Sequence, residues 1–388
     1  MIVIDNIQGT GRTVQLRKIV IKLGSSVVAG KGHEMDEAAL GALADSVALL
    51  RAAGVGVILV SSGAIGMARR QFPEFKPKTM PDRQALAAIG QVGLMHAYKE
   101  LFNARGFRAA QVLLTRDDMN DRRRYLNARY TLERLLELGA VPVINENDTV
   151  TIDELLSFGD NDQLSALVAA KMNADLLVIL SVVDGLFAGD PAQRKGRRGE
   201  DDGPIPVVEK LNEDVLGHAG KSRSSLGAGG MASKLLAVRI ASQAGMHTVI
   251  ANGKTPGIIE QILSGSFRGT YFAPREEHQY KGRERWIAFG RSAAGRQVVI
   301  DAGAREALVV GKKSLLAAGV REVRGEFARG DLVEVLGPGG ERVAKGLVNY
   351  DSRELDQIKG QKTPQIREIL GYLDYQEVIH RDNMAVIV

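Results

Sequence analysis

The chain has 388 residues, too many for one ordinary hydrophobic core and enough for two or three domains. With 45% hydrophobic and 25% charged residues it is not a disordered chain, and with no cysteine it has no disulfide, thiolate metal site or cysteine nucleophile. A net charge of +5 raises nucleic acid as a partner, but the basic loop Arg194-Lys195-Gly196-Arg197-Arg198 runs straight into Glu200-Asp201-Asp202, and no segment forms a one-sided basic stripe.

Met1 to Arg17 is mixed polar, unlike a secretory signal, and residues 1–16 read as an N-terminal extension. No apolar run approaches the roughly 18 residues of a membrane span, so a cytoplasmic protein with no membrane partner is expected. From residue 17 to 275 short apolar runs alternate with helical patterns. Ile19-Val20-Ile21, Val55 to Val60, Ala109 to Leu114, Val141 to Ile144, Leu176 to Leu180 and Thr248-Val249-Ile250 predict buried strands. Between the first two, Ala39, Leu40, Leu43, Val47 and Leu50 recur at helical spacing. This alternation predicts an α/β fold: a three-layer αβα sandwich around a mainly parallel sheet. Ligands then bind beyond the strands' carboxyl ends.

Residues 276–290 are polar and charge-rich, a linker. Residues 291–388 carry short strands with turn signals: Arg296 to Ile300, Gly319 to Val323, Asp331 to Leu336, Gly337-Pro338-Gly339-Gly340 and Arg342 to Val348. They predict a small β-rich domain. Trp286 and Phe289 beside the linker read as anchors for it. Residues 276–388 hold 18 Lys and Arg against 17 Asp and Glu, so this part is close to neutral.

Four segments that follow predicted strands carry candidate chemistry. Lys22-Leu23-Gly24-Ser25-Ser26 suits a phosphate cradle, or a tight turn with a surface lysine. Ser61-Ser62-Gly63-Ala64-Ile65-Gly66 suits an anion at a helix start, or an ordinary N-cap. Asn145-Glu146-Asn147-Asp148 and, downstream, Gly159-Asp160-Asn161-Asp162 crowd carboxylates and amides beside buried strands, which is costly unless something binds there; as turn and cap residues they would be unremarkable in type. Gly227-Ala228-Gly229-Gly230-Met231-Ala232-Ser233-Lys234 opens a helix and could nest a phosphate. Neither this run nor Gly220-Lys221-Ser222, which has Val215 where a P-loop needs glycine, is a Walker site. The six histidines form no His-Glu-x-x-His motif, which excludes that class of metal hydrolase.

In this order the segments resemble the amino-acid kinase superfamily, and within it the glutamate 5-kinases. Leu113-Leu114-Thr115-Arg116 and Tyr125-Leu126-Asn127-Ala128-Arg129 fit the same pattern. The C-terminal stretch resembles a PUA domain, an RNA-associated fold. The resemblance implies that Lys22 and Lys234 are catalytic lysines at the phosphates and that Asp162 orients them. Ser62, Asp148 and Asn161 would hold the substrate. Lys22, Ser181, Val182, Ala228, Gly229, Gly230, Met231, Ala232, Ser233 and Lys234 would line the ATP site. One departure is Val182, where the resembling proteins usually carry an aspartate.

The resemblance further implies ATP-dependent phosphorylation of the side-chain carboxylate of L-glutamate to L-glutamyl 5-phosphate, the first step towards proline. No protein-held metal is expected, and Mg²⁺ would arrive with the nucleotide. A homo-oligomer, proline feedback and functional coupling to a glutamyl-phosphate reductase belong to the same expectation. Two rivals stand beside it. One is a sister kinase for another carboxylate such as aspartate or acetylglutamate, against which Asp148 argues because a carboxylate prefers a free ammonium. The other is an RNA-binding protein built on the C-terminal domain, against which the near-neutral charge argues.

Overall fold

In the computed structural model, residues 2–30, 35–150, 161–188, 203–212, 230–275 and 295–387 are described, together with Val215 and Ile287. Contacts divide the chain into two compact units, one of Met1–Met119 and Arg123–Gln279, the other of Asn120–Arg122 and Tyr280–Val388. The predicted linker, Trp286 and Phe289 lie outside the described residues apart from Ile287, as do Gly159-Asp160, the basic loop and the run from Gly220 to Gly229.

In the first unit, β1 (Ile2–Ile4) and β2 (Val14–Leu16) pair antiparallel. The main sheet contains β3 (Lys18–Leu23), β4 (Gly56–Val60), β5 (Arg108–Leu114), β6 (Ala140–Glu146), β7 (Leu176–Ser181), β8 (Val207–Val208), β9 (His247–Asn252) and β10 (Gly269–Phe272). Its order is β5-β6-β4-β3-β7-β9-β10-β8. All neighbours from β5 to β9 are parallel, β10 runs antiparallel to β9, and β8 is parallel to β10. Every strand predicted from an apolar run is present. The short strands β8 and β10, which carry no long apolar run, add a mixed edge.

Successive strand residues face opposite sides, and both sides are dry. Ile19, Ile21, Val57, Leu59, Val178 and Leu180 join one cluster with Leu40, Leu43, Val47 and Leu50 of the helix Glu37–Ala52 and with Leu94, Tyr98 and Phe102 of the helix Met80–Asn103. Their alternates Val20, Ile58, Leu177 and Ile179 are equally buried, on the side of the helices Asn161–Lys171 and Met231–Gln243. The result is three layers. Residues 1–16 contribute Ile4, Ile7, Val14 and Leu16 to the first cluster.

The second unit is a five-stranded sheet of β11 (Gln297–Ile300), β12 (Val320–Arg324), β13 (Leu332–Leu336), β14 (Arg342–Leu347) and β15 (Met384–Val386), in the order β12-β11-β13-β14-β15. The helices Ala302–Val309, Ser352–Ile358 and Thr363–Leu370 accompany it. Val298, Val320, Val333, Val343, Tyr350, Leu355 and Ile366 build its own core.

Candidate active site

The strand order reverses around β3. The chain leaves β3 for β4 on one side, while β7 lies on the other, and such a reversal leaves a crevice at the carboxyl ends of the strands. Lys22 sits at the end of β3. It shares a face with Val20, which puts it on the side of the helices Asn161–Lys171 and Met231–Gln243.

Those two helices pack together and supply the partners of Lys22. Lys22 Nζ lies 2.5 Å from Asp162 Oδ1 and Lys234 Nζ lies 3.1 Å from Asp162 Oδ2. Asp162 is wholly buried and both lysines nearly so. Burial alone raises the Asp162 pKa, but the Lys22 and Lys234 ammonium groups outweigh it by charge and by hydrogen bonds. They hold the carboxyl below the ordinary carboxylate range, so it is ionised at neutral pH. One buried carboxylate thus holds two buried ammonium groups, an arrangement suited to a phosphate oxygen arriving beside them.

The helix Met231–Gln243 has Gly230 as N-cap, a residue with no side chain to cap the first turn. A helix start of this kind can receive an anion at its N–H groups, beside Lys234. Ser233 Oγ, in the same turn, is buried and has no hydrogen-bond partner among the described residues. Met231 is half-buried and Ala232 exposed. Ala228 and Gly229 lie outside the described residues. Across the crevice, Gly24 N–H donates to the Leu180 carbonyl at 3.0 Å, tying the turn after β3 to β7. Ser181 ends β7. Val182 follows it at 49% exposure, beyond the buried strand.

Ser62 and Asn161 form the second half of the site. Asn161 Nδ2 lies 2.9 Å from each of Ser62 Oγ, the Ser61 carbonyl and Asn145 Oδ1, and its two hydrogens are shared among these three acceptors. Ser62 is placed by Gly63, whose φ of 106° suits glycine and which starts the helix Ala64–Gln71. That helix is crossed closely by Met80–Asn103: a Cβ added at Gly90 would lie 1.7 Å from the Ala64 carbonyl oxygen. Asp148 is half-buried in the turn directly after β6, on the same edge of the sheet.

Sequence reasoning missed the residues behind these. Asn145 Nδ2 donates to Gln91 Oε1 at 2.8 Å, and Ser61 Oγ lies 2.8 Å from the Tyr98 hydroxyl. Gln91 and Tyr98 share the buried face of Met80–Asn103 with Ala87 and Leu94. A polar residue on an apolar helical stripe was the available signal. Tyr125 and Thr115 have structural partners: Tyr125 hydroxyl donates to the Lys171 carbonyl at 3.3 Å, and Thr115 Oγ1 bonds Asp118 at 2.8 Å.

Among the described residues no three His, Asp or Glu side chains lie close enough to hold a metal ion, and both Asp162 oxygens already face ammonium groups.

Residues 17–252 match the model of the amino acid kinase family, and residues 296–370 match that of the PUA domain. A glutamate 5-kinase of Thermus thermophilus is 49% identical over 95% of this chain and 97% of its own length. Proteins of the same name from Moorella thermoacetica and Myxococcus xanthus are each 44% identical. The first match covers 96% of this chain and 97% of the relative, the second 97% and 99%.

Proposed function

We propose, given that this chain belongs to the amino acid kinase family, that it transfers the γ-phosphoryl group of ATP to the side-chain carboxylate of L-glutamate, the first step of proline biosynthesis. The observation that carries the reading is the buried arrangement of Lys22, Asp162 and Lys234 beside a helix start with glycine as its N-cap. The glutamate γ-carboxylate is ionised at neutral pH, so it needs no general base. What the reaction needs is a way for one anion to approach another in line.

Lys22 and Lys234 supply positive charge on the side of the transferred group, and Asp162 holds both ammonium groups in place without neutralising them. Preorganised charge of this kind stabilises a transition state more than a ground state. The amide groups of Gly230 to Ser233 would receive nucleotide phosphates, with Ser181 and Val182 bordering the nucleotide. Ser62, Asp148 and Asn161 would hold the amino acid, Asp148 facing its ammonium group. Mg²⁺ would enter as part of the nucleotide substrate and help neutralise its phosphates. The product is a reactive acyl phosphate, which suits a reductase that consumes it promptly; proline feedback and a homo-oligomeric assembly enter the proposal only through the resemblance to the glutamate 5-kinases.

The test is ATP-dependent acyl-phosphate formation trapped with hydroxylamine, compared across glutamate, aspartate and N-acetylglutamate. Glutamate is expected to give the highest kcat/KM. A preference for N-acetylglutamate would overturn the assignment of Asp148 and of the substrate.

A further inference from the structure

A chain of amides runs from the helix Met80–Asn103 to the candidate substrate site, and backbone groups fix its polarity. The Glu146 N–H can only donate, and it donates to Asn145 Oδ1 at 2.9 Å. The Ser61 carbonyl can only accept, and Asn161 Nδ2 donates to it at 2.9 Å. The contact from Asn161 Nδ2 to Asn145 Oδ1 agrees with both assignments. With its oxygen committed twice, Asn145 turns Nδ2 towards Gln91, whose Oε1 accepts. Asn145 and Asn161 are therefore each oriented by an obligate backbone partner, and Gln91 by Asn145 in turn.

Two atoms are left over. Asn161 Oδ1 and Gln91 Nε2 are buried with no hydrogen-bond partner among the described residues. An amide with one end unsatisfied is a poor choice for stability on a helix face shared with Ala87 and Leu94. Its retention makes sense if the satisfied end, Oε1, does something that packing alone does not. The open atom at the other end of the chain, Asn161 Oδ1, belongs to the residue that touches Ser62 and precedes Asp162.

We infer that Gln91 is a positioning residue. By accepting from Asn145 it locks the amide chain, so that Asn161 presents Oδ1 as the acceptor for the ammonium group of the amino-acid substrate. Without Gln91 Oε1, Asn145 Nδ2 would be buried without an acceptor, and the Asn145 side chain would leave this rotamer. Asn161 would then lose one of its three acceptors and the fixed direction of its carbonyl. The inference rests on the kinase reading given above.

The contact from Asn161 to an ammonium is made equally before and during phosphoryl transfer, so its loss moves KM and leaves kcat. In Gln91→Met, which keeps length and loses the acceptor, glutamate KM should rise about tenfold, the loss of one hydrogen bond to a charged group. The ATP KM should stay unchanged. Gln91→Asn keeps an amide but falls a methylene short of Asn145, and gives the same reading where the methionine variant does not fold. Gln91→Glu keeps an acceptor and is expected to restore glutamate KM to within about threefold of the parent, a difference under 1 kcal/mol.

A folded Gln91→Met with the parent's glutamate KM overturns the inference. So does an equal rise in Gln91→Glu, which would reduce Gln91 to a packing role. If the parent itself forms no γ-glutamyl hydroxamate, the kinase reading falls and this inference with it. An active parent with indifferent Gln91 variants removes only the positioning role.

Discussion

Lys234 Nζ lies 3.1 Å from Asp162 Oδ2, although the two residues sit on different helices, each within the first turn. Both helices start at the carboxyl end of the parallel strands, and their packing brings the two first turns together. The Lys22–Asp162 contact closes the arrangement from the strand side. A charge cluster held by three separate elements is rigid, which electrostatic catalysis requires.

Replacing Lys234 by alanine is expected to lower kcat by about two orders of magnitude, since a preorganised charge contact contributes roughly 3 kcal/mol to a transition state. The hydroxamate assay measures this directly. Thermal melting of the same variant separates catalysis from folding, because Asp162 keeps Lys22 as its partner. Unchanged turnover would remove Lys234 from the mechanism.

The fold of the first unit and the charged half of its site were legible in the sequence because strand ends mark both. Lys22 closes the apolar run Ile19-Val20-Ile21, and Lys234 opens a helix after glycines. Gln91 and Tyr98 were not legible, because a helix face with Ala87, Leu94 and Phe102 reads as core and its polar members as exceptions. Ile4 and Val14 belong to strands too short to show a period, so residues 1–16 read as an extension. In the second unit the capping box from Asp351 to Glu354 announces a helix that a search for strands passes over.

His247 makes stability pH-dependent. It opens β9, and its Nδ1 lies 2.8 Å from the Tyr271 hydroxyl. Burial, and after it the Arg12 guanidinium, pushes its pKa down to about 4. The unfolded chain takes up this proton near pH 6.5, so between there and pH 4 the unfolded state binds more protons and stability falls as pH falls. The loss is at most about 3 kcal/mol and is complete below the folded pKa. Urea unfolding at pH 7.5, 5.5 and 4 measures it against His247→Gln, which cannot take the proton. Parallel curves for the two proteins would exclude His247 as the source.

A chain ending at Gln279 should fold and keep its phosphotransferase activity. Among the described residues, the apolar cluster of the first unit draws on none beyond Ala273, and that of the second on none before Val298. All the candidate site residues precede the cut. Separate cores are the condition for independent folding. Gel filtration, melting and the hydroxamate assay on the truncated protein test this. Soluble, folded protein without activity would show that the second unit completes the site.

Val182 is where this chain departs from the proteins it resembles, and Val182→Asp tests what the departure does. β7 ends at Ser181, and Val182 stands at 49% exposure beyond it, so a carboxylate there keeps much of its hydration. Stability should then change by no more than about 0.5 kcal/mol, as for surface substitutions generally. If the position faces the nucleotide, a charged acceptor opposite a nucleotide donor tightens ATP binding by about 1.5–3 kcal/mol, roughly ten- to a hundredfold in Kd. Isothermal titration with a non-hydrolysable ATP analogue reads the affinity, and melting reads the stability. Tighter binding at unchanged Tm assigns Val182 to the nucleotide site. Unchanged binding at unchanged Tm assigns it to the solvent, and the recognition of the nucleotide then falls to Ser181, Lys22 and the turn after Gly230.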